Sequence, residues 1–205
     1  MSAPETPNYL QPYTDAARRY GGGFSSLLWA SPRTQRARFH ALTRIEDFKQ
    51  RFVLDVGCGR ADLLDHLVTN DLAPRKYVGI EAVAQLLEAA RSKPHQMAAV
   101  EQGDFVSDPG ILRIAADLIV FSGSLNTLDQ TTFDATLRSA FAATRRSLVF
   151  NFLSSPLLAG QPFLHWRRPA DVMGFARALT ADVQQLSDYL EGDCTMVLRR
   201  SEEVQ

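Results

Sequence analysis

Cysteine is scarce in this chain: Cys58 and Cys194 are the two among 205 residues. Two thiols so far apart make neither a disulfide framework nor a metal-binding cluster, and no metal is expected. Long apolar runs are missing too. None approaches the ~20 residues that span a bilayer, so no membrane partner is expected. A surplus of one charge is also missing, with 22 Lys and Arg against 23 Asp and Glu. The net charge of -1 leaves no bulk electrostatic case for nucleic acid or membrane binding. The opening residues Met1-Ser2-Ala3-Pro4-Glu5 do not have the charged-then-apolar layout of a signal peptide, and a cytoplasmic protein is the expectation. Internal repeats and low-complexity tracts are absent.

What is present is the composition of an ordinary globular protein, 45% hydrophobic and 22% charged, long enough for one sizeable core. Residues 1–28 are rich in Pro, Tyr, Gly and polar residues and read as a flexible N-terminal arm, with some helix near 14–20. Residues 29–205 read as a single domain. Ser31-Pro32 is a helix start signal, serine as N-cap and proline at the first helical position. Phe39, Leu42, Ile45 and Phe48 follow at spacings that suit one helical face.

From Phe52 onward, strand and helix patterns alternate. Strands are expected at 52–56, 77–81, 97–102, 117–122 and 147–153, and helices at 61–69, 82–92, 131–144 and 169–179. The helix at 61–69 turns Leu63, Leu64, Leu67 and Val68 inward. Two last strands, 183–190 and 194–199, flank Glu191-Gly192-Asp193, a hairpin-length connection. Ser147 to Leu153 is apolar at nearly every position, as a strand buried on both faces requires. The fold class is therefore α/β: a Rossmann-like, seven-stranded, mostly parallel sheet with helices on both faces and a C-terminal antiparallel hairpin.

One stretch organises the rest. Phe52-Val53-Leu54-Asp55-Val56 is a buried strand, Gly57-Cys58-Gly59 a tight turn, and a helical pattern follows. Glycine has no Cβ, so such a turn lets backbone approach a ligand closely. In open α/β sheets ligands lie beyond the carboxyl ends of the strands, at the switch in strand order. Four carboxyl ends carry suitable residues here: Asp55 with Gly57 and Gly59, then Glu81, then Gly103-Asp104-Phe105, then Ser122-Gly123-Ser124. Glu81 falls about twenty residues after the glycines, where an acid accepts hydrogen bonds from ribose hydroxyls. A dinucleotide site wants a third glycine, and that position is Asp62, whose carboxylate repels phosphate. The turn thus points away from NAD and toward a phosphate-free, cationic ligand, S-adenosylmethionine.

Val53 to Gly59, Tyr77 to Glu81, Gly103 to Phe105 and Asp117 to Val120 resemble the successive motifs of class I S-adenosylmethionine-dependent methyltransferases. The resemblance runs from about Trp29 to Arg199. Trp29-Ala30-Ser31 with Gln35, Arg38 and Phe39, then Ser122 to Asn126, Phe150 to Ser155 and Asp188 to Leu190, are similar to a small bacterial subgroup of undefined substrate. The resemblance implies a cofactor site at Arg38, Asp55, Gly57, Cys58, Gly59, Glu81, Ala82, Asp104, Phe105, Ser122 and Gly123. In that site the backbone from Gly57 to Gly59 passes the methionyl part and Glu81 takes both ribose hydroxyls. Asp104 accepts from the adenine amino group with Phe105 beside the ring. Ser122 and Gly123 line the floor below the methyl group, and Arg38 meets the cofactor carboxylate.

The implied reaction is an in-line methyl transfer to a small-molecule acceptor, for which no catalytic residue is obligatory. Asn151, His165 and Tyr189 are candidates by position, at the last strand ends or in the long loop after Ser154. The Asn/Asp-Pro-Pro-aromatic signature of enzymes that methylate nucleobase or glutamine amino groups is absent from Ser122-Gly123-Ser124-Leu125. Competing readings are an RNA or protein acceptor drawn in by Arg18, Arg19, Arg33, Arg36 and Arg38, a non-catalytic cofactor-binding or scaffolding protein, and a nucleotide-dependent oxidoreductase.

Overall fold

The structure, a computed structural model, describes residues 6–201. The seven expected strands form one sheet: β1 Phe52–Val56, β2 Lys76–Glu81, β3 Ala98–Gln102, β4 Leu118–Phe121, β5 Ser147–Leu153, β6 Val183–Leu186 and β7 Asp193–Arg199. Their order is β3-β2-β1-β4-β5-β7-β6, with β7 antiparallel to both of its neighbours and β1 to β5 parallel. The strand order reverses between β1 and β4, so the crevice at their carboxyl ends lies beside the glycine turn.

Strand alternation sorts the core into two layers. Leu54, Val56, Phe150, Phe152 and Met196 pack with α5 (Gln130–Ala143) and α6 (Pro169–Arg177) on one face. Val53, Tyr77, Val149 and Val197 pack on the other with α2 (Pro32–Ile45), α3 (Asp62–Thr69) and α4 (Ala84–Arg91). The serine–proline signal opens α2 as a capping box, Ser31 accepting from the Thr34 N–H while the Thr34 hydroxyl accepts from the Ser31 N–H.

Three details differ from expectation in ways that place side chains. Helix α2 ends at Ile45, so Phe48 is fully buried from the following turn instead of from the helical face. Val68, expected inward, stands 36% exposed, because Leu63, Leu64 and Leu67 already span the buried arc of α3. Strand β6 stops at Leu186, and the next residues leave the sheet to make other contacts: Arg44 donates both terminal nitrogens to Asp188, and Tyr189 turns toward Asp193.

Residues before Trp29 form α1 (Gln11–Tyr20) and a 3-10 helix at Phe24–Leu27. Tyr13, Ala17 and Leu27 pack on Val83 and Leu86 at the start of α4, which sets this segment over the carboxyl ends of β1 and β2. Residues 1–5 of the expected arm lie outside the described residues.

Candidate cofactor site and active site

The glycine turn is built for close approach. Gly57 (φ 69°) and Gly59 (φ 57°) both lie in the left-handed region, where a side chain is strained. A Cβ on Gly57 would overlap Ser124, and one on Gly59 would come within 2.6 Å of Leu27 Cδ2. The turn is held from β2: the N–H groups of Gly57 and Cys58 both donate to the Ile80 carbonyl. Ser124 Oγ donates to the Val56 carbonyl at 2.7 Å, locking the loops after β1 and β4 together.

Glu81, at the end of β2, is buried, and its carboxylate faces back at this turn. One oxygen accepts from the Gly59 N–H and the other from the Val83 N–H, both at 2.8 Å. Burial pushes its pKa up, against the backbone N–H groups of Val83, Gly59 and Ala82. A carboxylate has about four lone-pair sites, and two are used here, leaving both oxygens able to accept from a ligand. Asp104, past β3, accepts from the Tyr9 hydroxyl at 2.6 Å and from the Val106 N–H at 3.0 Å. Phe105 beside it meets Phe121 edge-on, ring centroids 5.4 Å apart.

These groups open onto one cavity of about 320 Å³. Of the residues implied by the resemblance, Arg38, Gly57, Gly59, Glu81, Ala82, Asp104, Phe105, Ser122 and Gly123 share its wall. Asp55 and Cys58 do not. They face a side cavity of about 30 Å³, because alternation turns Asp55 to the α2 and α3 face and the Cys58 sulfur lies against Gly79. Asp62 also faces that side cavity, and its charge is matched: Lys93 Nζ donates to Oδ1 at 2.7 Å and Gln35 Nε2 to Oδ2 at 3.2 Å. An acid so neutralised repels phosphate far less than its position in the motif suggests.

Asp55 has its own chemistry. It is fully enclosed, accepts from the Tyr77 hydroxyl at 2.6 Å, and burial pushes its pKa up to about 7. An unfolded aspartic acid ionises near pH 3.9, so between pH 5 and 7 the folded state holds a proton that the unfolded state has lost. Its contribution to stability is present below pH 4 and drains away as pH rises through about 7. Asp55→Asn removes this drain while keeping an acceptor for Tyr77. The variant is expected to gain about 2 kcal/mol on the wild type between pH 5 and 7 in urea denaturation. A difference that stays constant across this range would contradict the protonated Asp55.

None of the three catalytic candidates lines the cavity. His165 is exposed, its N–H donating to the Asn126 carbonyl. Asn151 and Tyr189 lie behind the wall in a hydrogen-bonded chain. Ser122 Oγ donates to Asn151 Oδ1 (3.0 Å), Asn151 Nδ2 to Thr195 Oγ1 (3.1 Å), Thr195 to the Tyr189 hydroxyl (2.8 Å), and Tyr189 to Asp193. The chain ends on Arg38, whose Nε donates to Asp193 at 2.5 Å while Nη2 pairs with the same oxygen. Burial and the neighbouring carboxylate raise the Tyr189 pKa, so its hydroxyl is a fixed donor and not a base. Nη1 of Arg38 lies 3.7 Å from where a Cβ on Gly123 would sit, under the Trp29 ring that its guanidinium stacks on at 4.7 Å.

The remaining wall comes from residues with no motif of their own. Tyr9 and Tyr13 approach from the N-terminal segment, and Leu158, Gln161 and Leu164 from the loop after β5. That loop is tied at both ends, Ser154 N–H to the Gly192 carbonyl and Arg167 N–H to the Leu153 carbonyl, each at 2.8 Å. The Arg167 guanidinium, buried over the Phe133 ring, donates to the Leu128 and Asp129 carbonyls. Among the described residues no cluster of His, Cys, Asp or Glu suits a metal ion, and no helix is long and apolar enough to cross a membrane.

A family model described as a methyltransferase domain matches residues 30–182. Among curated proteins, none matches the chain in sequence. Solved structures share its fold. DhpI in complex with SAH (S-adenosylhomocysteine) aligns over 94% of this chain and 95% of its own at 17% identity, TM-score 0.70. Magnesium protoporphyrin IX methyltransferase (ChlM) from Synechocystis PCC 6803 with bound SAH aligns over 97% of this chain and 90% of its own at 13% identity, TM-score 0.62. The small RNA methyltransferase HEN1 aligns over 85% of this chain and 26% of its own at 14% identity, TM-score 0.67. With a family match over most of its length and a glycine turn and strand order that agree with it, the chain belongs to the methyltransferase domain family and is a class I S-adenosylmethionine-dependent methyltransferase.

Proposed function

We propose that the enzyme methylates a small molecule, with cofactor and acceptor meeting inside the one cavity. The observation that carries this reading is the enclosure of Gly123. Trp29 stands over it at 3.1 Å from a Cβ position, and Leu158 and Leu164 wall the side away from Glu81. A chamber walled by α1, the start of α2 and the loop after β5 suits an acceptor that enters whole.

When bound, S-adenosylmethionine supplies a methyl group on a sulfonium leaving group. The residues present fit it. Glu81 has free lone pairs on both oxygens for the ribose hydroxyls, and both glycines put the turn on the cavity wall where the methionyl chain would pass. Nη1 of Arg38 is the nitrogen not committed to Asp193, and it is free to hold the carboxylate. Asp104 keeps acceptor capacity for the adenine amino group beside Phe105, while Ser122 and Gly123 form the floor. Holding acceptor and methyl group in line lowers the barrier by ~7–11 kcal/mol, which is why a positioned cavity without a catalytic base suffices.

The test is calorimetry with S-adenosylhomocysteine followed by transfer of labelled methyl groups to extract fractions. Label is expected in the low-molecular-mass fraction. Label confined to RNA or protein would replace this reading, and salt-dependent RNA binding would accompany the RNA case. Phe105→Ala is expected to weaken S-adenosylhomocysteine about 5- to 150-fold, the loss of ~1–3 kcal/mol of stacking on a base. An unchanged affinity would place the adenine elsewhere.

A further inference from the structure

The two ends of the cavity differ in chemistry. Its titratable side chains are Tyr9, Tyr13, Arg38, Glu81 and Asp104, and all but Arg38 sit over β1, β2 and β3. Tyr9 is tied to Asp104, Glu81 holds two backbone N–H groups, and burial, with Glu81 nearby, pushes the Tyr13 pKa up to about 12. Arg38, whose Nε and Nη2 are on Asp193, is a donor and accepts no proton.

Around and beyond Gly123 the wall is Leu28, Trp29, Leu153, Leu158, Leu164 and Leu190, with the Arg38 guanidinium under Trp29 and Thr34, Asn126, Thr127 and Gln161 as neutral polar groups. Leu153 ends β5, and Leu190 lies just before β7. Among the described residues, no His, Lys or Cys lines the cavity, its acids are Glu81 and Asp104, and its phenols are Tyr9 and Tyr13.

An acceptor in such a place meets two physical demands. A neutral alcohol or amine sheds a proton during or after methylation, and nothing at this end takes it. An anionic nucleophile sheds none. Its charge and the sulfonium charge cancel as the new bond forms, and that cancellation is favoured by apolar walls, which solvate separated charges less well than water does.

Resting on the methyltransferase reading above, we propose that the acceptor is an apolar molecule whose nucleophile is already ionised in water, its simplest form a carboxylate on a hydrocarbon body. An oxygen lone pair forms the bond to the methyl carbon as the carbon–sulfur bond breaks. The bonding pair goes to sulfur, leaving a neutral methyl ester and a neutral thioether, and no proton is transferred.

Octanoate, octanol and octylamine serve as probes of equal length. With labelled cofactor, octanoate is expected to give alkali-labile label and the other two none, at a rate that is flat between pH 6 and 9. Label on octanol or octylamine, label on none of the three, or a rate rising through a pKa in that range overturns the proposal. Equilibrium binding gives a readout apart from turnover. Octanoate is expected to bind at least tenfold tighter to protein loaded with sinefungin, which carries an ammonium in place of the methyl sulfonium, than to protein loaded with S-adenosylhomocysteine. Octanol is expected to show no difference, and equal octanoate affinity in the two complexes overturns the proposal. If neither cofactor analogue binds, the cofactor reading fails first; if both bind and octanoate does not discriminate, this inference fails alone.

Discussion

Glu81→Ala is expected to weaken S-adenosylhomocysteine binding by about 10²–10⁴-fold. Two hydrogen bonds from hydroxyls to a buried carboxylate are lost, each contributing ~1.5–3 kcal/mol. The same change leaves the Gly59 and Val83 N–H groups without acceptors at a buried site, at ~1–3 kcal/mol each. Stability therefore falls along with affinity, by ~2–4 °C of melting temperature per kcal/mol for a chain of this length. Calorimetry separates the two effects when run well below the variant's melting point. Glu81→Gln is the control, because an amide keeps one oxygen for the turn but puts an NH2 toward the second backbone donor. A variant that stays folded and binds within threefold of wild type would remove Glu81 from the ribose site.

Asp193→Ala is expected to be the most destabilising single change, by ~3–5 kcal/mol, read as a fall of about 10 °C in melting temperature. The Arg38 and Asp193 side chains are 8% and 0% exposed, so removing the carboxylate strands a guanidinium away from water. It also unties Tyr189, and through Thr195 and Asn151 the floor at Ser122. Arg38→Met in the same chain should recover part of the loss, because the stranded charge goes with it. That recovery marks an ion pair and not merely lost packing. A single variant within 1 kcal/mol of wild type would show that the pair holds nothing together. Asp193→Asn keeps an acceptor for Arg38 and should cost less.

Both changes act on residues the sequence exposes to different degrees. Glu81 is readable because its place follows from a strand end and a spacing, and because the topology of a parallel sheet puts that end beside the glycine turn. Asp104, Ser122 and Gly123 are readable in the same way. Arg38 is readable as a candidate, but its partner is not, since Asp193 lies 155 residues away and belongs to the last strand. The Tyr9 bond to Asp104 spans 95 residues and starts in a segment whose composition reads as an arm. Asn151 and Tyr189 are drawn to attention by their strand ends, yet their side chains face the hydrogen-bonded chain behind the cavity wall. Asp62 shows the same gap, because an acid in a motif looks unmatched until Lys93, just past the end of α4, is placed against it.

By itself, the sequence determined the alternation of strands and helices, the mostly parallel sheet, the glycine turn and the acid that follows it. Those depend on side-chain period, on backbone freedom at glycine and on rules of sheet topology, all local or nearly so. Only the tertiary structure decided which carboxylates are neutralised, which hydroxyls are tied, and which leucines from distant segments line the cavity. Those are set by the burial and pairing of groups far apart in the chain, where the cost of an unpaired polar atom is incurred only once the sheet, its helices and the loop after β5 have closed around it.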